Sequence, residues 1–278
     1  MESLSYYHEK IDRLGILARK SLLSTARRVR GLKPRGQVLV AGMQRSGTNL
    51  VMDLFERSMQ TDTYHERDPR AFDDYHMRDR QHIHGLIERS GGEVFVIKAL
   101  LESQHLRSLL DEFAPAKALW VVRDYRDTVN SLMISFPGFA ERIQLIAKDR
   151  HACGWRGEGM SDETHALIRK YTHPDINEAT AAALKWYYRN ILFFEQALDT
   201  DPRLRLVSYE TLVTQPGEEI ERVFQFVGIR YSQGISRWVS PRSIRKRPPP
   251  EIEPDVAALC EGLAERFHQR MKETVSTS

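Results

Sequence analysis

The segment 38–50 constrains the fold of this chain more than any other segment, because it predicts a buried strand, a loop and a helix in direct succession. Residues 38–41 are a short apolar run, and from Thr48 onward apolar residues recur at helical spacing. A strand, loop and helix in this order direct backbone N–H groups and the positive end of the helix dipole at one place. The segment therefore predicts an anion-binding loop.

This loop departs from the triphosphate-binding pattern G-x-x-x-x-G-K-[ST] at two positions. Gly42 and Gly47 have the spacing that the pattern requires. Thr48, however, stands where the lysine belongs, and Asn49 stands where the magnesium-binding hydroxyl belongs. The cation lies inside the loop instead, as Arg45. The sequence thus predicts an anion site without the groups that hold a γ-phosphate and Mg²⁺.

Apolar strands alternate with helices along the chain, which predicts an α/β fold with a P-loop-like central parallel sheet and helices on both faces. The further predicted strands are residues 61–64, 94–97, 118–122 and 204–208. The predicted helices are residues 102–113, 125–135, 179–198, 218–227 and a closing helix from residue 256. Residues 65–92 are very polar. Residues 137–175 show no clear period and are predicted to form an irregular insertion with helical pieces.

Residues 1–35 are predicted to form a basic, amphipathic N-terminal extension, followed by one domain over residues 36–278. No Asp or Glu occurs from Arg13 to Met52. The extension is expected to pack on the rest of the protein, and contact with a membrane surface is the alternative. No apolar run reaches about eighteen residues, so no membrane span is expected.

Composition adds little beyond the cysteine count. The 41 basic and 38 acidic residues give a net charge of only +3. The two cysteines, Cys153 and Cys260, are far apart and form no CxxC pair. This pattern favours a reducing, cytoplasmic compartment and disfavours a structural zinc or a disulfide framework.

Charged and aromatic residues follow the predicted strands where each strand ends, and ligands of parallel α/β sheets bind at that edge. These residues are Arg45, Glu66, Lys98, Arg123 and Tyr209. Ser131 lies about two turns into the helix after Arg123, so its hydroxyl can point back toward the same edge. A guanidinium and a hydroxyl there can hold a second phosphate. Two anion sites fit a nucleotide with a 5′-diphosphate-like group and a separate ribose phosphate.

With three blocks in register, the sequence resembles the sulfotransferase family, which uses 3′-phosphoadenosine 5′-phosphosulfate (PAPS). The blocks are the loop at 45–48, the R-D-x-R-D…S motif from Arg123 to Ser131, and residues 207–228 with their Tyr-Glu pair. The resemblance implies that the loop holds the 5′-phosphosulfate through Arg45, Ser46, Gly47, Thr48 and Asn49. It implies that Arg123 and Ser131 hold the 3′-phosphate and that Tyr209 closes over the adenine. A basic residue of the C-terminal loop would join the 3′-phosphate; Arg242 is the predicted one, with Arg245 and Lys246 as alternatives.

The resemblance also suggests a general base. The small-molecule branch of the family carries a catalytic histidine two positions after the strand lysine, but Leu100 stands there. The branch with arginine in the loop, which acts on carbohydrates and tyrosyl proteins, uses a glutamate after the second strand. Glu66 matches this place, with His65 as the neighbouring alternative. Lys98 is expected to reach the transferred group, so the predicted catalytic residues are Glu66, Arg45 and Lys98.

The sequence is thus expected to encode a sulfotransferase that moves a sulfuryl group from PAPS, in line, to a hydroxyl of a carbohydrate or glycolipid. Neither a metal nor a nucleic-acid partner is expected. One alternative is a nucleotide-dependent kinase, against which Thr48 and the lack of an acidic magnesium ligand argue. The other is a non-enzymatic protein that binds polyanions or nucleic acid through its basic stretches.

Overall fold

A computed structural model describes the backbone of residues 2–276 and the side chains of residues 15–273. The predicted amphipathic pattern of the residues before Gly15 therefore lies outside the described side chains. The seven strands of the described chain are β1 (Gly36–Gly42), β2 (Thr61–Tyr64), β3 (Phe72–Asp73), β4 (His76–Met77), β5 (Val94–Lys98), β6 (Ala116–Val122) and β7 (Leu204–Ser208).

Twelve α-helices accompany these strands in the part of the chain that the structure describes. They are α1 (Glu2–Val29), α2 (Thr48–Glu56), α3 (Arg80–Arg89), α4 (Leu106–Glu112), α5 (Tyr125–Ser135), α6 (Phe139–Lys148), α7 (Asp162–Tyr171), α8 (Glu178–Asn190), α9 (Leu192–Glu195), α10 (Tyr209–Thr214), α11 (Pro216–Val227) and α12 (Pro254–Ser276). Each helix of the described residues is either too short or too polar to span a lipid bilayer.

Five strands form one sheet in the order β2-β5-β1-β6-β7, and every neighbouring pair is parallel. Side chains of the central strand β1 alternate between two hydrophobic clusters, because successive residues of a strand point to opposite faces. Leu39 joins the larger cluster, which includes residues of α5, α8 and α12, and Val40 joins the smaller one, which includes residues of α2 and α11. The predicted parallel sheet with helices on both faces is confirmed.

The polar stretch 65–92 contains regular elements that were not predicted, and the insertion 137–175 contains the helical pieces that were predicted for it. Residues 65–92 hold the hairpin β3–β4 and helix α3, and residues 137–175 hold α6 and α7. The side chain of Asp79 caps α3 by accepting from the His82 N–H. Only Ile83 and Leu86 of α3 are buried. A helix that buries so few residues needs few apolar positions, and its sequence therefore shows little of the apolar period that predicts a helix.

Three predicted helices differ from the observed ones at their ends. The predicted helix 179–198 ends at Asn190 and is followed by the short α9, and Ala197 then has a left-handed φ of 52°. The predicted helix 102–113 begins with a 3₁₀ turn at Ser103–His105. Helix α11 begins at Pro216, since proline is well suited to the first turn, and the preceding α10 was not predicted.

Helix α1 lies along the edge strand β2. Lys20 donates from Nζ to the backbone oxygen of Glu56 (2.8 Å) and to Oγ1 of Thr61 (3.2 Å). Burial lowers the pKa of Lys20 to about 8, although Asp62 and Glu56 oppose this shift. The extension therefore packs on the body of the protein through a buried polar contact.

Candidate functional site

A cavity of about 770 Å³ opens at the carboxyl edge of the sheet. Loops that follow β1, β2, β5, β6 and β7 all contribute residues to its wall, as expected for a parallel sheet. The predicted site residues in this wall are Arg45, Gly47, Thr48, Asn49, Glu66, Lys98, Arg123, Ser131 and Tyr209. The structure thus brings together nine of the residues that the sequence singled out.

The loop after β1 depends on glycine at two positions. Gly42 has a φ of 136°, and a Cβ atom there would lie 2.5 Å from the backbone oxygen of Val121. Gly47 has a φ of 102°, and a Cβ atom there would lie 2.2 Å from the ring of Tyr209. Both positions therefore exclude a side chain, and the loop backbone runs directly beneath the tyrosine.

The end of this loop is built as an anion site. Arg45 and Gly47 both have positive φ angles (69° and 102°), and alternation of this kind turns backbone N–H groups toward one concavity. Helix α2 begins at Thr48 without a capping side chain or an acidic residue in its first turn. The first N–H groups of α2 therefore remain available to an anion, as the sequence indicated.

The side chain of Ser46 has a different place from the other loop residues. Its hydroxyl donates to the backbone oxygen of Met43 at 2.7 Å, and the residue is buried and does not line the cavity. Ser46 therefore stabilises the loop from inside, and its hydroxyl does not reach the cavity.

Arg45 and Ser131 connect the two predicted anion motifs. Nε of Arg45 donates to the Ser131 hydroxyl at 2.8 Å. Ser131 lies on α5, two turns after Arg123, so the guanidinium of the first motif contacts the hydroxyl of the second. The two motifs form one continuous polar surface.

Arg123 is held by the C-terminal loop and by Tyr209. Its Nη2 donates to the backbone oxygen of Ser243 at 2.8 Å, and its guanidinium carbon lies 4.6 Å from the centre of the Tyr209 ring. The Tyr209 hydroxyl is hydrogen-bonded to the Ser243 hydroxyl. Oδ2 of Asp127 lies 3.7 Å from Nη2 of Arg123. Nε of Arg123 is buried and has no hydrogen-bond partner among the described residues. The guanidinium is therefore oriented but keeps a free donor.

The helix that carries Ser131, α5, begins at a capped end. The Asp124 side chain accepts from the N–H groups of Arg126 and Asp127. Its own N–H donates to Glu210 at 3.0 Å. These contacts link α5 to the Tyr-Glu pair at the start of α10.

Lys98 and Glu66 meet at the side of the loop opposite Arg123. Lys98 ends β5 and is 1% exposed; its Nζ lies 2.7 Å from Oε2 of Glu66 and donates to Oδ1 of Asn49 at 2.6 Å. Burial lowers the pKa of Lys98, and the charge of Glu66 opposes that shift. Asn49 therefore orients the lysine toward the cavity wall, a contact that the sequence did not predict.

His65, the alternative base, points elsewhere. It lines a different cavity beside α1, and its Nε2 lies 3.9 Å from Oε1 of Glu56. Glu66, the next residue, lines the main cavity. The structure therefore places Glu66 and not His65 beside the anion loop.

The C-terminal loop contributes through residues other than Arg242. Arg242 is exposed and does not line the cavity. Ser243 contacts both Arg123 and Tyr209, and the N–H of Arg245 donates to the Asp127 carboxylate at 3.0 and 3.1 Å. In this structure the loop reaches the Arg123 region through Ser243, so the assignment of Arg242 to the 3′-phosphate stays a prediction.

Residues that the sequence did not reveal line the outer part of the cavity. They are the aromatic and basic residues Arg67, Tyr75, Phe136, Trp155 and Arg156. The guanidinium of Arg67 lies 5.7 Å from the Tyr75 ring, and those of Arg156 and Arg189 lie 5.1 and 5.3 Å from the Trp155 ring. This part of the wall therefore combines ring faces with positive charge.

Tyr75 owes its position to an unusual turn. Asp74 and Tyr75 connect β3 to β4, and both have positive φ angles, 43° and 66°. Two-residue hairpin turns need this geometry but usually take it with Asn and Gly. The pair Asp-Tyr gives no turn signal, which is why the sequence did not reveal the aromatic residue at the cavity.

One group of potential metal ligands occurs among the described residues. Single ligand atoms of Asp53, Glu56 and His65 all lie within 4.8 Å of one another. Asp53 and Glu56 belong to α2, while His65 follows β2, so the group lies behind the anion loop and outside the main cavity wall.

The chain is similar to several solved structures. The chain is similar to the sulfotransferase domain from the curacin biosynthetic pathway at 12% identity, covering 84% of this chain and 98% of that domain, with a TM-score of 0.53. It is also similar to the sulfotransferase domain of the Synechococcus PCC 7002 olefin synthase at 13% identity, covering 84% of this chain and 95% of that one, with a TM-score of 0.48. A mouse sulfotransferase complexed with PAP is 15% identical over 78% of this chain and 69% of its own, with a TM-score of 0.44.

A search of curated proteins found no match. The model of the sulfotransferase-domain family, in contrast, matches residues 35–245, which contain the anion loop, Lys98, the Arg123 motif and Tyr209. The matched region begins one residue before β1 and ends in the loop that holds Ser243. The chain belongs to the sulfotransferase family and is a sulfotransferase enzyme.

Proposed function

We propose that this enzyme transfers the sulfuryl group of PAPS to a hydroxyl of a carbohydrate or glycolipid, by direct in-line transfer with Glu66 as the general base. Sulfotransferases of this family generally use PAPS. The observation that carries the proposal is the convergence of Arg45, Lys98, Glu66 and Arg123 on one cavity from four different strand ends. Sulfuryl transfer needs charge stabilisation, a base and a neutralised leaving phosphate, and each of these groups matches one of these needs.

The cavity wall fits a nucleotide with two separate anionic groups. The backbone concavity at Arg45 and Gly47, with the uncapped start of α2, suits the 5′ end. Arg123 and Ser131 suit the 3′-phosphate, because the Nε of Arg123 is a buried donor without a partner among the described residues. Tyr209 lies over Gly47 and can cover the adenosine between these two points.

The residues of this chain then have distinct tasks. When bound, PAPS supplies the sulfuryl group and a phosphate leaving group. Arg45 and the loop N–H groups neutralise that phosphate, and Lys98 holds positive charge beside the transferred group. Glu66 accepts the proton of the acceptor hydroxyl at its carboxylate. Lys98 keeps that carboxylate in place through a contact of 2.7 Å, and Asn49 holds Lys98 by accepting from its Nζ at 2.6 Å.

The outer cavity supports a carbohydrate or glycolipid acceptor, in keeping with the branch of the family that has arginine in the loop. Tyr75 and Trp155 offer ring faces on which a sugar ring can stack, and Arg67 and Arg156 place positive charge beside them. Stacking and charge together favour an acceptor that carries an acidic group near the reacting hydroxyl.

The setting that we propose is cytoplasmic. Both cysteines are free: Cys260 is buried and Cys153 is half-buried. Free thiols of this kind suit a reducing compartment.

The kinase alternative has no support in the loop. Thr48, at the lysine position of triphosphate-binding loops, is buried as the first residue of α2. Membership of an enzyme family likewise gives no support to a role limited to polyanion or nucleic-acid binding.

Incubation of the enzyme with ³⁵S-labelled PAPS and an extract of the source cells tests the proposal. We expect label in a product that glycosidases convert to smaller labelled fragments, and no label with Arg45→Ala. Labelled protein or phenol, resistant to glycosidases, would contradict the proposed acceptor class. Transfer of label from [γ-³²P]ATP instead would contradict the proposed donor.

A further inference from the structure

Helix α1 turns an apolar strip away from the protein. The strip consists of the apolar residues Ala18, Leu22, Ala26 and Val29 with Thr25 between them, and their spacing places all five on one face of the helix. The Thr25 hydroxyl donates to the backbone oxygen of Ser21. All five are exposed, Leu22 by 74% and Val29 by 83%. Leu22 and Val29 are the two most exposed large apolar residues among the described side chains. An amphipathic helix on a protein surface normally shows the opposite arrangement.

The inward face of α1 is fixed by polar contacts. Ile16, Lys20, Ser24 and Arg27 are the less exposed residues of this helix, and they lie on the opposite side from the strip. Lys20 bonds to Glu56 and Thr61, and Ser24 packs so closely on Gly91 that a Cβ atom there would lie 1.9 Å from the serine hydroxyl. The helix therefore cannot roll to bury its strip without breaking these contacts.

Basic side chains border the strip on both sides. Their helical positions place Arg19 and Arg30 along one edge of the strip and Arg28 along the opposite edge. All three side chains are exposed. No acidic residue occurs between Asp12 and Asp53, so nothing within this segment neutralises them. An apolar strip between rows of arginine is the pattern of helices that lie in the interface of an anionic membrane.

We propose that α1 binds the surface of a membrane rich in anionic lipids. Leu22 and Val29 insert at the boundary between headgroups and acyl chains, and Arg19, Arg28 and Arg30 contact the lipid phosphates. A second copy of the chain fits this face less well, because a symmetric dimer through the strip would bring together two copies of residues 13–30, which carry several basic residues and no acidic one. The charge of the segment thus selects a lipid surface as the occupant.

Co-sedimentation of the full-length protein with vesicles tests this inference. We expect binding to vesicles of phosphatidylcholine and phosphatidylglycerol in equal parts, little binding to pure phosphatidylcholine, and weaker binding as NaCl rises. The double variant Leu22→Asp/Val29→Asp should lower the partition coefficient by about tenfold or more, because charges replace the inserting side chains. Leu145→Asp, at an exposed leucine of α6, is the matched control and should bind like the wild type.

A second variant separates the role of charge from that of the strip. Arg19→Gln/Arg30→Gln keeps both apolar residues and should reduce binding to the anionic vesicles and its dependence on salt. Far-UV circular dichroism and the affinity for 3′,5′-bisphosphoadenosine should be unchanged in all variants. Equal binding to both kinds of vesicle, or wild-type binding by both double variants, would overturn the proposal. A dimer in sedimentation velocity that Leu22→Asp dissociates would do so as well, since a second copy would then cover the strip.

Discussion

Lys98 and Glu66 form an ion pair across the carboxyl ends of two neighbouring strands, β5 and β2, with 2.7 Å between Nζ and Oε2. The lysine is 1% exposed, while the glutamate side chain is 22% exposed at the cavity wall. A buried ammonium requires a partner, and the glutamate supplies it. The proposed base and the proposed cation of the reaction therefore depend on each other for their position.

Replacement of Glu66 by glutamine should abolish most turnover and spare nucleotide binding. The amide keeps the shape of the side chain but cannot accept the acceptor proton, so we expect kcat to fall by about 10²–10⁴-fold. The affinity for 3′,5′-bisphosphoadenosine should change little, because Glu66 does not contact the residues assigned to the 3′-phosphate. Turnover is measured on the acceptor found by ³⁵S labelling. Asp74→Asn, at a second carboxylate of the cavity wall, is the control; a normal kcat in Glu66→Gln would assign the base elsewhere.

Replacement of Gly47 by alanine should damage the anion loop. The new Cβ would lie 2.2 Å from the Tyr209 ring, and the φ of 102° is unfavourable to any side chain. We expect the affinity for 3′,5′-bisphosphoadenosine, measured by calorimetry, to fall by about tenfold or more. Gly228→Ala separates the effect of backbone strain from that of the clash with Tyr209. Gly228 has a φ of 82°, but a Cβ atom there would meet no other atom within 4 Å. Its variant should lose about 1 kcal/mol of stability and keep the affinity; equal losses of affinity would contradict the steric role of Tyr209.

Lys185 should make the protein less stable at neutral pH than it would be with an apolar side chain. Burial, with Arg189, Arg156 and Arg142, lowers the pKa of Lys185 to about 7 from 10.5. The unfolded chain therefore binds more protons than the folded one between these values, so stability rises with pH across this window. Lys185→Met should raise the free energy of unfolding by about 1–3 kcal/mol near pH 7. This gain in the free energy of unfolding, measured by urea unfolding, should shrink toward pH 10. A gain that does not change with pH would contradict the lowered pKa of Lys185.

Removal of divalent metals should leave the enzyme active. The anion loop lacks the hydroxyl that holds Mg²⁺, and Lys98 and Arg45 supply positive charge at the cavity. We expect EDTA dialysis to change kcat by less than about twofold. The cluster of Asp53, Glu56 and His65 gives the control, since Asp53→Asn removes one of its ligand atoms. The prediction would be contradicted if EDTA abolished activity, if one divalent ion restored it, and if Asp53→Asn had no activity even with that ion.

The sequence predicted the fold and the inner part of the site because both depend on local patterns. Apolar residues marked β1, β5, β6 and β7. Parallel strands bring their carboxyl ends to one edge, so strand order along the chain was enough to place Arg45, Lys98 and Arg123 together. The contact of Asn49 with Lys98 could not be predicted, since it depends on the rotation of α2 against β5.

The individual residues of the outer cavity could not be predicted for a different reason. Tyr75 and Trp155 lie in stretches with little apolar period, and their position results from a strained turn and from packing on Arg189. Ser243 was likewise not predicted, because a basic residue is the usual partner of a phosphate. The loop instead contacts Arg123 with the backbone oxygen of Ser243 and contacts Tyr209 with its hydroxyl. Loop geometry of this kind is set by tertiary contacts, which sequence patterns do not encode.

Calorimetric titration with 3′,5′-bisphosphoadenosine tests the central claim most directly, which is that Arg123 holds the 3′-phosphate of a nucleotide whose 5′ end lies in the Arg45 loop. We expect micromolar or tighter binding by the wild type and a loss of about 100-fold or more in Arg123→Ala. Arg126→Ala is the matched control, because Arg126 is half exposed and paired with Glu261 at 2.9 Å. We also expect adenosine 5′-phosphate, which lacks the 3′ group, to bind the wild type and Arg123→Ala equally weakly. No heat with the wild type, or equal affinity of wild type and Arg123→Ala for the bisphosphate, would contradict the claim.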